Sequence, residues 1–253
     1  MFTRAIVRKP ASTFAEGLTT AELGKPDLDR AREQHAAYAE ELRRRGLDVT
    51  VLEADDRFPD STFVEDAAVV TARGAVIARP GAPTRRGETR AVAAALKKLC
   101  EPIARIQSPG TVDGGDVMQV EDQFYVGLSA RTNKSGARQL LNILREWGYG
   151  GEMVPMAEML HLKTGVAYLG GGWLLLTGEL IKASAFRRFD IIAVPAGEAY
   201  AANCIRVNDR VLIPQGFPLT RNAVERAGFD TVALDVSEFR KMDGGLSCLS
   251  LRF

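Results

Sequence analysis

The 253 residues predict an α/β fold built from five repeats of hairpin, helix and strand closed into a ring. Three observations predict it. A similar unit recurs about every 50 residues, a period of the kind that marks repeat and ring architectures. Apolar runs alternate around Gly, Asn and Asp turns, the pattern of hairpins, and apolar stripes at helical spacing lie between them. A fifth hairpin is completed only if the two chain ends pair, which removes the exposed edges of an open array.

In chain order, Arg4 to Val7 forms the first strand. Leu28, Ala31, His35, Tyr38 and Leu42 follow at alternating steps of three and four, one face of a helix, and that spacing assigns His35 to packing. Asp48 to Leu52 is extended. Ala67 to Ala78 reads as a hairpin turning at Arg73-Gly74, followed by a helix carrying Val92, Leu96 and Leu99 and a strand over Ile103 to Ile106. Asp116 to Gly127 turns at Glu121-Asp122, with a helix through Leu140, Leu141, Leu144 and Trp147 and a strand over Glu152 to Pro155 behind it. Val166 to Leu176 turns at Gly170-Gly171-Gly172 and precedes a short helix over Ala183 to Phe189 and a strand over Ile191 to Val194. Cys204 to Ile213 turns at Asn208-Asp209; a short helix over Thr220 to Ala227 and a strand over Thr231 to Leu234 complete that repeat. Cys248 to Leu251 pairs with Arg4 to Val7, so residues 1–253 are expected to form a single domain.

Composition narrows the function. Lys plus Arg (33) balances Asp plus Glu (32), which recommends neither nucleic acid nor an anionic membrane as partner and leaves a small polar molecule. Cys100, Cys204 and Cys248 are odd in number and have no CxxC spacing, against a disulfide framework or a structural zinc site. The opening Met1 to Arg8 has no long apolar core, and no apolar run approaches the ~20 residues of a membrane span. A soluble, cytoplasmic protein is expected.

The polar motifs share one topological position. Asp60 to Asp66 precedes the second hairpin, Asp113-Gly114-Gly115-Asp116 opens the third, His161 precedes the fourth, Asn203-Cys204 opens the next, and Asp243-Gly244-Gly245 to Cys248 leads into the closing strand. In a ring of equivalent blades such positions converge on one end of the axis. They bring together a thiol, the one histidine not consumed by a helix stripe, and carboxylates, the pattern of nucleophile, base and orienting acid. Zinc needs tighter spacing and more Cys or His, so no metal is expected. A planar guanidinium, always charged and bearing paired N–H donors, suits a cradle of Asp66 and Asp113.

The runs Gly17-Leu18, Phe58 to Asp66, Arg79-Pro80-Gly81, Arg85 to Glu88, Gly110 to Asp116, Arg131-Thr132-Asn133, His161 to Gly165 and Asp243 to Cys248 resemble, in order and spacing, the dimethylarginine dimethylaminohydrolase family. The resemblance implies the five-bladed α/β propeller, or pentein fold, of guanidino-modifying enzymes, with pseudo-fivefold symmetry. It implies hydrolysis of Nω-methylated L-arginine to L-citrulline and an amine through a covalent S-alkylthiouronium, chemistry that needs no cofactor. A monomer or homodimer is expected. By resemblance, Cys248 is the nucleophile, His161 the general acid and base, and Asp113 its orienting carboxylate. Asp66 and Glu65 lie on the guanidine side, while Asp60 and the Leu18 carbonyl hold the α-amino group. Arg85 and Arg131 clamp the α-carboxylate, Met242 adds a backbone contact, and Phe63 packs on the aliphatic stem.

Two other readings remain open from sequence. An arginine deiminase or amidinotransferase would act on unmethylated arginine with the same residues. A non-catalytic sensor of arginine derivatives predicts loss of a chemical residue, yet Cys248 and His161 are both present.

Overall fold

Hairpins form where the backbone can turn left-handed: Asn208 stands at φ 53°, and Gly170, Gly171 and Gly172 stand at 90°, 61° and 84°. The computed structural model describes residues 1–253. The chain begins as β1 (Arg4–Arg8), passes through α1 (Leu28–Arg44) and returns as β2 (Asp48–Leu52), parallel to β1. The next unit is the antiparallel pair β3 (Ala68–Thr71) and β4 (Gly74–Ile77), then α2 (Thr89–Leu96) and β5 (Ile103–Arg105). It is followed by β6 (Val117–Val120), β7 (Gln123–Leu128), α3 (Lys134–Glu146) and β8 (Gly150–Pro155). A single turn, α4 (Leu162–Gly165), leads into β9 (Val166–Gly170), β10 (Trp173–Leu176) and β11 (Asp190–Ala193). The last full unit is β12 (Ile205–Val207), β13 (Arg210–Pro214), α5 (Pro218–Arg226) and β14 (Thr231–Leu234), after which come the short α6 (Ser237–Arg240) and β15 (Leu251–Arg252).

The strands make five three-stranded sheets, each an antiparallel pair with a third strand parallel to its middle one. The fifth sheet has order β15-β1-β2, with Ala5 opposite Arg252 and Ile6 opposite Leu251, so the chain ends close the ring. Inner strands touch their neighbours across the blades: β15 with β3, β6 with β9, and β9 with β12. The predicted five-bladed α/β propeller is therefore the observed architecture.

Helices pack on the outside because their apolar stripes have nowhere else to go. Tyr38 and Leu42 of α1 join Val7 and Phe239 in one core cluster, and Leu140 and Leu144 of α3 join Phe124 and Val126 of β7 in another. Both helices are capped by a side chain: Asp27 accepts from the Arg30 amide at 3.0 Å, and Asn133 from that of Gly136 at 2.8 Å. His35 is buried in α1, as its spacing predicts.

Three expectations need correction. The expected helix over Ala183 to Phe189 is instead two short 3₁₀ turns, Gly178–Lys182 and Ser184–Phe186, with Ala183 extended between them. Leu180 and Phe186 are six residues apart, which on an α-helix points them to different sides; the break lets both enter one core cluster. Helix α2 ends at Leu96, leaving Leu99 in the following turn. Cys248 lies in a 3₁₀ turn, Ser247–Leu249, and the paired strand begins only at Leu251.

Candidate active site

Each inner strand is entered by a short turn, and the chemistry sits in those turns. Val64–Ala67 before β3 carries Glu65 and Asp66; Asp113 and Gly114–Asp116 precede β6; His161 caps α4 before β9; Asn203 precedes β12; Cys248 precedes β15. The glycine pair after Asp113 is required by crowding. A Cβ at Gly114 would overlap the Glu65 carbonyl oxygen, and one at Gly115 would press on Asp66 and the His161 ring.

His161 Nε2 lies 3.3 Å from Asp113 Oδ2. Asp113 is fully buried; its Oδ1 accepts from the Gly81 amide at 2.8 Å, and its own amide donates to Thr132 Oγ1 at 3.0 Å. That leaves the His161 Nδ1 side turned toward Gly115 and Asp66. Asp66 Oδ1 accepts from the Gly115 amide at 2.9 Å, and its Oδ2 from Arg85 Nη1 at 2.6 Å. Donor atoms of Asp66, Asp113 and His161 all fall within 4.8 Å of one another, close enough for a cation, but both carboxylates already receive N–H donors. The Cys248 sulfur faces the Gly245 amide at 3.4 Å and the Asn203 side-chain amide at 4.0 Å.

The charge state follows from burial and neighbours. Burial pushes the Cys248 thiol up to about 12, and the carboxylates of Glu65 and Asp66 push the same way. Burial opposes protonation of His161, but the Asp66 charge, the Asp113 hydrogen bond and the Asp116 charge outweigh it and raise the imidazole to about 9. Burial also resists ionisation of Asp66, yet His161 and Arg85 hold it well below the usual carboxylate range. Both shifts favour the protonated forms, a thiol at Cys248 and an imidazolium at His161.

Asp60, buried, accepts the Leu18 amide on both oxygens at 3.1 Å; Gly17 packs between it and Met242, and the Leu18 side chain is exposed. Phe63 packs edge-on to Phe239, with ring centroids 6.3 Å apart, in a cluster that includes Met242 and borders Cys248. Arg131 Nη1 is buried with no hydrogen-bond partner, 3.6 Å from Asp113 Oδ2, a donor positioned to receive an anion. Arg85 is more heavily engaged than its expected part in a carboxylate clamp suggests. It donates to Asp66, to Glu88 through Nε at 3.0 Å and Nη2 at 2.9 Å, and to the carbonyls of Asp60 and Phe63, leaving one Nη1 proton. Both Glu65 oxygens are already engaged: Oε1 accepts from Lys163 Nζ at 2.6 Å and Oε2 from Ser247 Oγ at 2.8 Å.

Asn203, Asp116 and Glu88 lie within the motifs, where spacing alone gives them no part. Asn203 holds the turn that carries Cys248, its Oδ1 accepting from the Ser247 amide at 2.9 Å. Asp116 accepts from the Leu162 amide at 2.9 Å and from Ser129 Oγ at 2.7 Å, anchoring the segment after His161. Glu88, which burial raises to about 7 against the pull of Arg85, fixes that guanidinium. For Asn203 and Asp116 the usable signal was their position at the repeat's equivalent turns.

Comparison with known proteins places this geometry. Residues 19–194 match the family model described as N,N dimethylarginine dimethylhydrolase, eukaryotic. The N(G),N(G)-dimethylarginine dimethylaminohydrolase of Pseudomonas aeruginosa is 49% identical over 254 residues, covering 100% of both chains. Its structure with a cysteine-to-serine substitution, complexed with citrulline, superposes with a TM-score of 0.99 over 100% of both chains. A dimethylarginine dimethylaminohydrolase with a histidine-to-glycine substitution, an adduct with S-methyl-L-thiocitrulline, is also 49% identical, with a TM-score of 0.98. The N-terminal domain of ArgZ, a cyanobacterial arginine dihydrolase, shares the fold at 19% identity, with a TM-score of 0.88 over 100% of this chain and 97% of that one. Identity of this extent over the whole length, on one backbone, means that the chain belongs to the dimethylarginine dimethylaminohydrolase family.

Proposed function

We propose that this protein hydrolyses Nω-methylated L-arginine, asymmetric dimethylarginine or monomethylarginine, to L-citrulline and dimethylamine or methylamine, with residues 1–253 acting as one catalytic unit. The observation that carries the reading is the buried Asp66, Asp113 and His161 cluster, whose donor atoms lie within 4.8 Å of one another at the end of the ring that also holds Cys248. A guanidinium entering beside Asp66 counters the burial and the negative field that raise the thiol, so substrate binding favours release of the thiol proton to solvent.

The thiolate adds to the guanidinium carbon, and the imidazolium of His161 gives its proton to the substituted nitrogen. The C–N bond breaks and the amine departs neutral, leaving a cationic S-alkylthiouronium and a neutral imidazole. His161 then takes a proton from water, the oxygen adds to the same carbon, and the C–S bond breaks with its electron pair returning to sulfur, which accepts the hydroxyl proton to leave neutral citrulline and the resting thiol. Asp113 holds the imidazole through both half-reactions. Asp60 and the Leu18 carbonyl receive the α-amino group, and Arg131 with Arg85 the α-carboxylate, so the amino-acid end faces the Leu18 loop and the reacting carbon lies deepest.

No helix is long and apolar enough to cross a membrane. The reading carries with it a cytoplasmic location and a monomeric or homodimeric state. The test is incubation with asymmetric dimethylarginine, monomethylarginine and unmodified arginine in parallel, with citrulline and released amine quantified. Citrulline from the methylated forms with stoichiometric alkylamine supports it. Citrulline and ammonia from arginine alone assigns a deiminase, and no product with retained binding assigns a sensor.

A further inference from the structure

We propose that the axial cavity is a back passage from the reacting carbon, that the small alkylamine product leaves through it, and that Lys163, Glu65 and Ser247 form its gate. The proposal rests on the substrate orientation given above. A cavity of about 600 Å³ runs between the inner strands, lined by Val70 of β3, Met118 of β6, Ala167 of β9, Ile205 of β12 and Leu251 of β15. One end opens among exposed Met1, Gln119 and Glu121; the other stops at Glu65, Lys163 and Ser247, and none of Cys248, His161 or Asp66 lines it.

The partition is one layer of side chains thick. Ser247 Oγ lies 3.9 Å from the Cys248 sulfur on one side and 2.8 Å from Glu65 Oε2 on the other. Glu65 Oε1 is held by Lys163 Nζ at 2.6 Å. The Lys163 side chain keeps 18% of its exposure, so its ion pair is not fully desolvated, and a flexible four-carbon stem allows the ammonium to swing aside.

Chemistry makes a second exit useful. The amine is released at the deep end while the rest of the substrate is still covalently bound to Cys248 and fills the front. The amine leaves neutral, so a wall carrying Lys163, Arg206 and Arg252 against Glu65 and Glu121 does not repel it. In bulk water it becomes an alkylammonium, and the same excess of basic groups opposes its return before water has displaced the sulfur.

The test blocks the passage far from the site. Gln119, an exposed side chain of β6, and Val70, half-buried on β3, both line the cavity. For Gln119→Trp and Val70→Trp, kcat should fall by roughly fivefold or more for the bulkiest amine, as release becomes limiting, and the loss should shrink from Nω-propyl- to dimethyl- to monomethylarginine. Equal losses for all three substrates, or none in variants whose thermal melting matches wild type, would overturn the proposal. So would build-up of the covalent adduct at a rate independent of the amine, which assigns the passage to water entry. Lys163→Met supplies a second reading that needs no plug: more labelled methylamine from solution should be incorporated into recovered methylarginine, and unchanged incorporation counts against the gate. Turnover of the three substrates by wild type separately tests the underlying activity.

Discussion

At the residue scale, the resting site holds its two protons in the order opposite to the one catalysis needs. A thiol raised to about 12 beside an imidazole raised to about 9 is chemically quiet until a cation arrives. Alkylation of free Cys248 by a neutral electrophile should therefore be slow at pH 7 and still rising above pH 9, whereas an amidinium-bearing electrophile should react readily at pH 7. Stopped alkylation followed by mass spectrometry checks this, and equal pH profiles for the two reagents would remove the substrate-assisted step. The two ends of the substrate should also differ in kind. Asp66 is buried against Arg85, so Asp66→Asn should cost about 3–5 kcal/mol of stability and lower kcat as well as kcat/KM. Arg131→Ala removes a donor that makes no internal hydrogen bond and lies 3.6 Å from Asp113, so it should mainly raise KM for methylated arginine. Methylguanidine, which has no carboxylate, should be a poor substrate whose turnover is indifferent to Arg131→Ala. Equal losses on both substrates would mean that Arg131 does not clamp the carboxylate.

At the element scale, α1 buries a titratable group where the helix stripe calls for an apolar one. His35 has an Nε2 with no hydrogen-bond partner, and burial, assisted by the Lys9 charge, lowers it to about 4. A histidine depressed in the folded state contributes stability that is fully present above its unfolded value, near 6.5, and is lost as pH falls toward 4. The shift corresponds to about 3 kcal/mol, which urea unfolding between pH 4.5 and 8 should show as an acid limb. His35→Leu should flatten that limb while sparing activity at neutral pH. A limb of unchanged slope in the variant would place the acid sensitivity elsewhere. The same helix reaches the nucleophile: Tyr38 donates to the Leu246 carbonyl at 2.9 Å and pairs with Ser250 Oγ at 2.6 Å, bracketing Cys248.

At the scale of the whole molecule, the position of Cys248 depends on ring closure. Cys248 stands three residues before β15, which exists only because it pairs with β1; Phe253 exchanges backbone bonds with Arg4 at 2.8 and 3.0 Å. Leu251 is buried between those strands and the second blade. Leu251→Ala should cost about 2–5 kcal/mol of global stability. Because closure positions the turn holding Cys248, kcat per folded molecule should fall as well. Chemical denaturation and active-site titration with an irreversible alkylator separate the two effects. Full activity per folded molecule would mean that the Asn203 and Gly245 contacts alone hold the thiol.

The period of the repeats, the hairpin turns and the long helix stripes were legible in the sequence because each depends on spacing within one short segment. Placing Asp113, His161 and Cys248 at the same point of their repeats followed from that period. Spacing could not show that Ala183 breaks a helix so that Leu180 and Phe186 enter one cluster, since that is settled by what lies opposite. Nor could it show that Arg85 spends most of its donors on Asp66 and Glu88, or that Glu65 turns to Lys163 and Ser247 while its neighbour Asp66 turns to His161. Adjacent residues facing opposite sides of a floor one side chain thick are distinguished only when five turns from distant parts of the chain are packed together. Which groups meet could be read from the period of the chain; which way each one faces is set only in the packed ring, because burial and charge pairing belong to the assembled molecule.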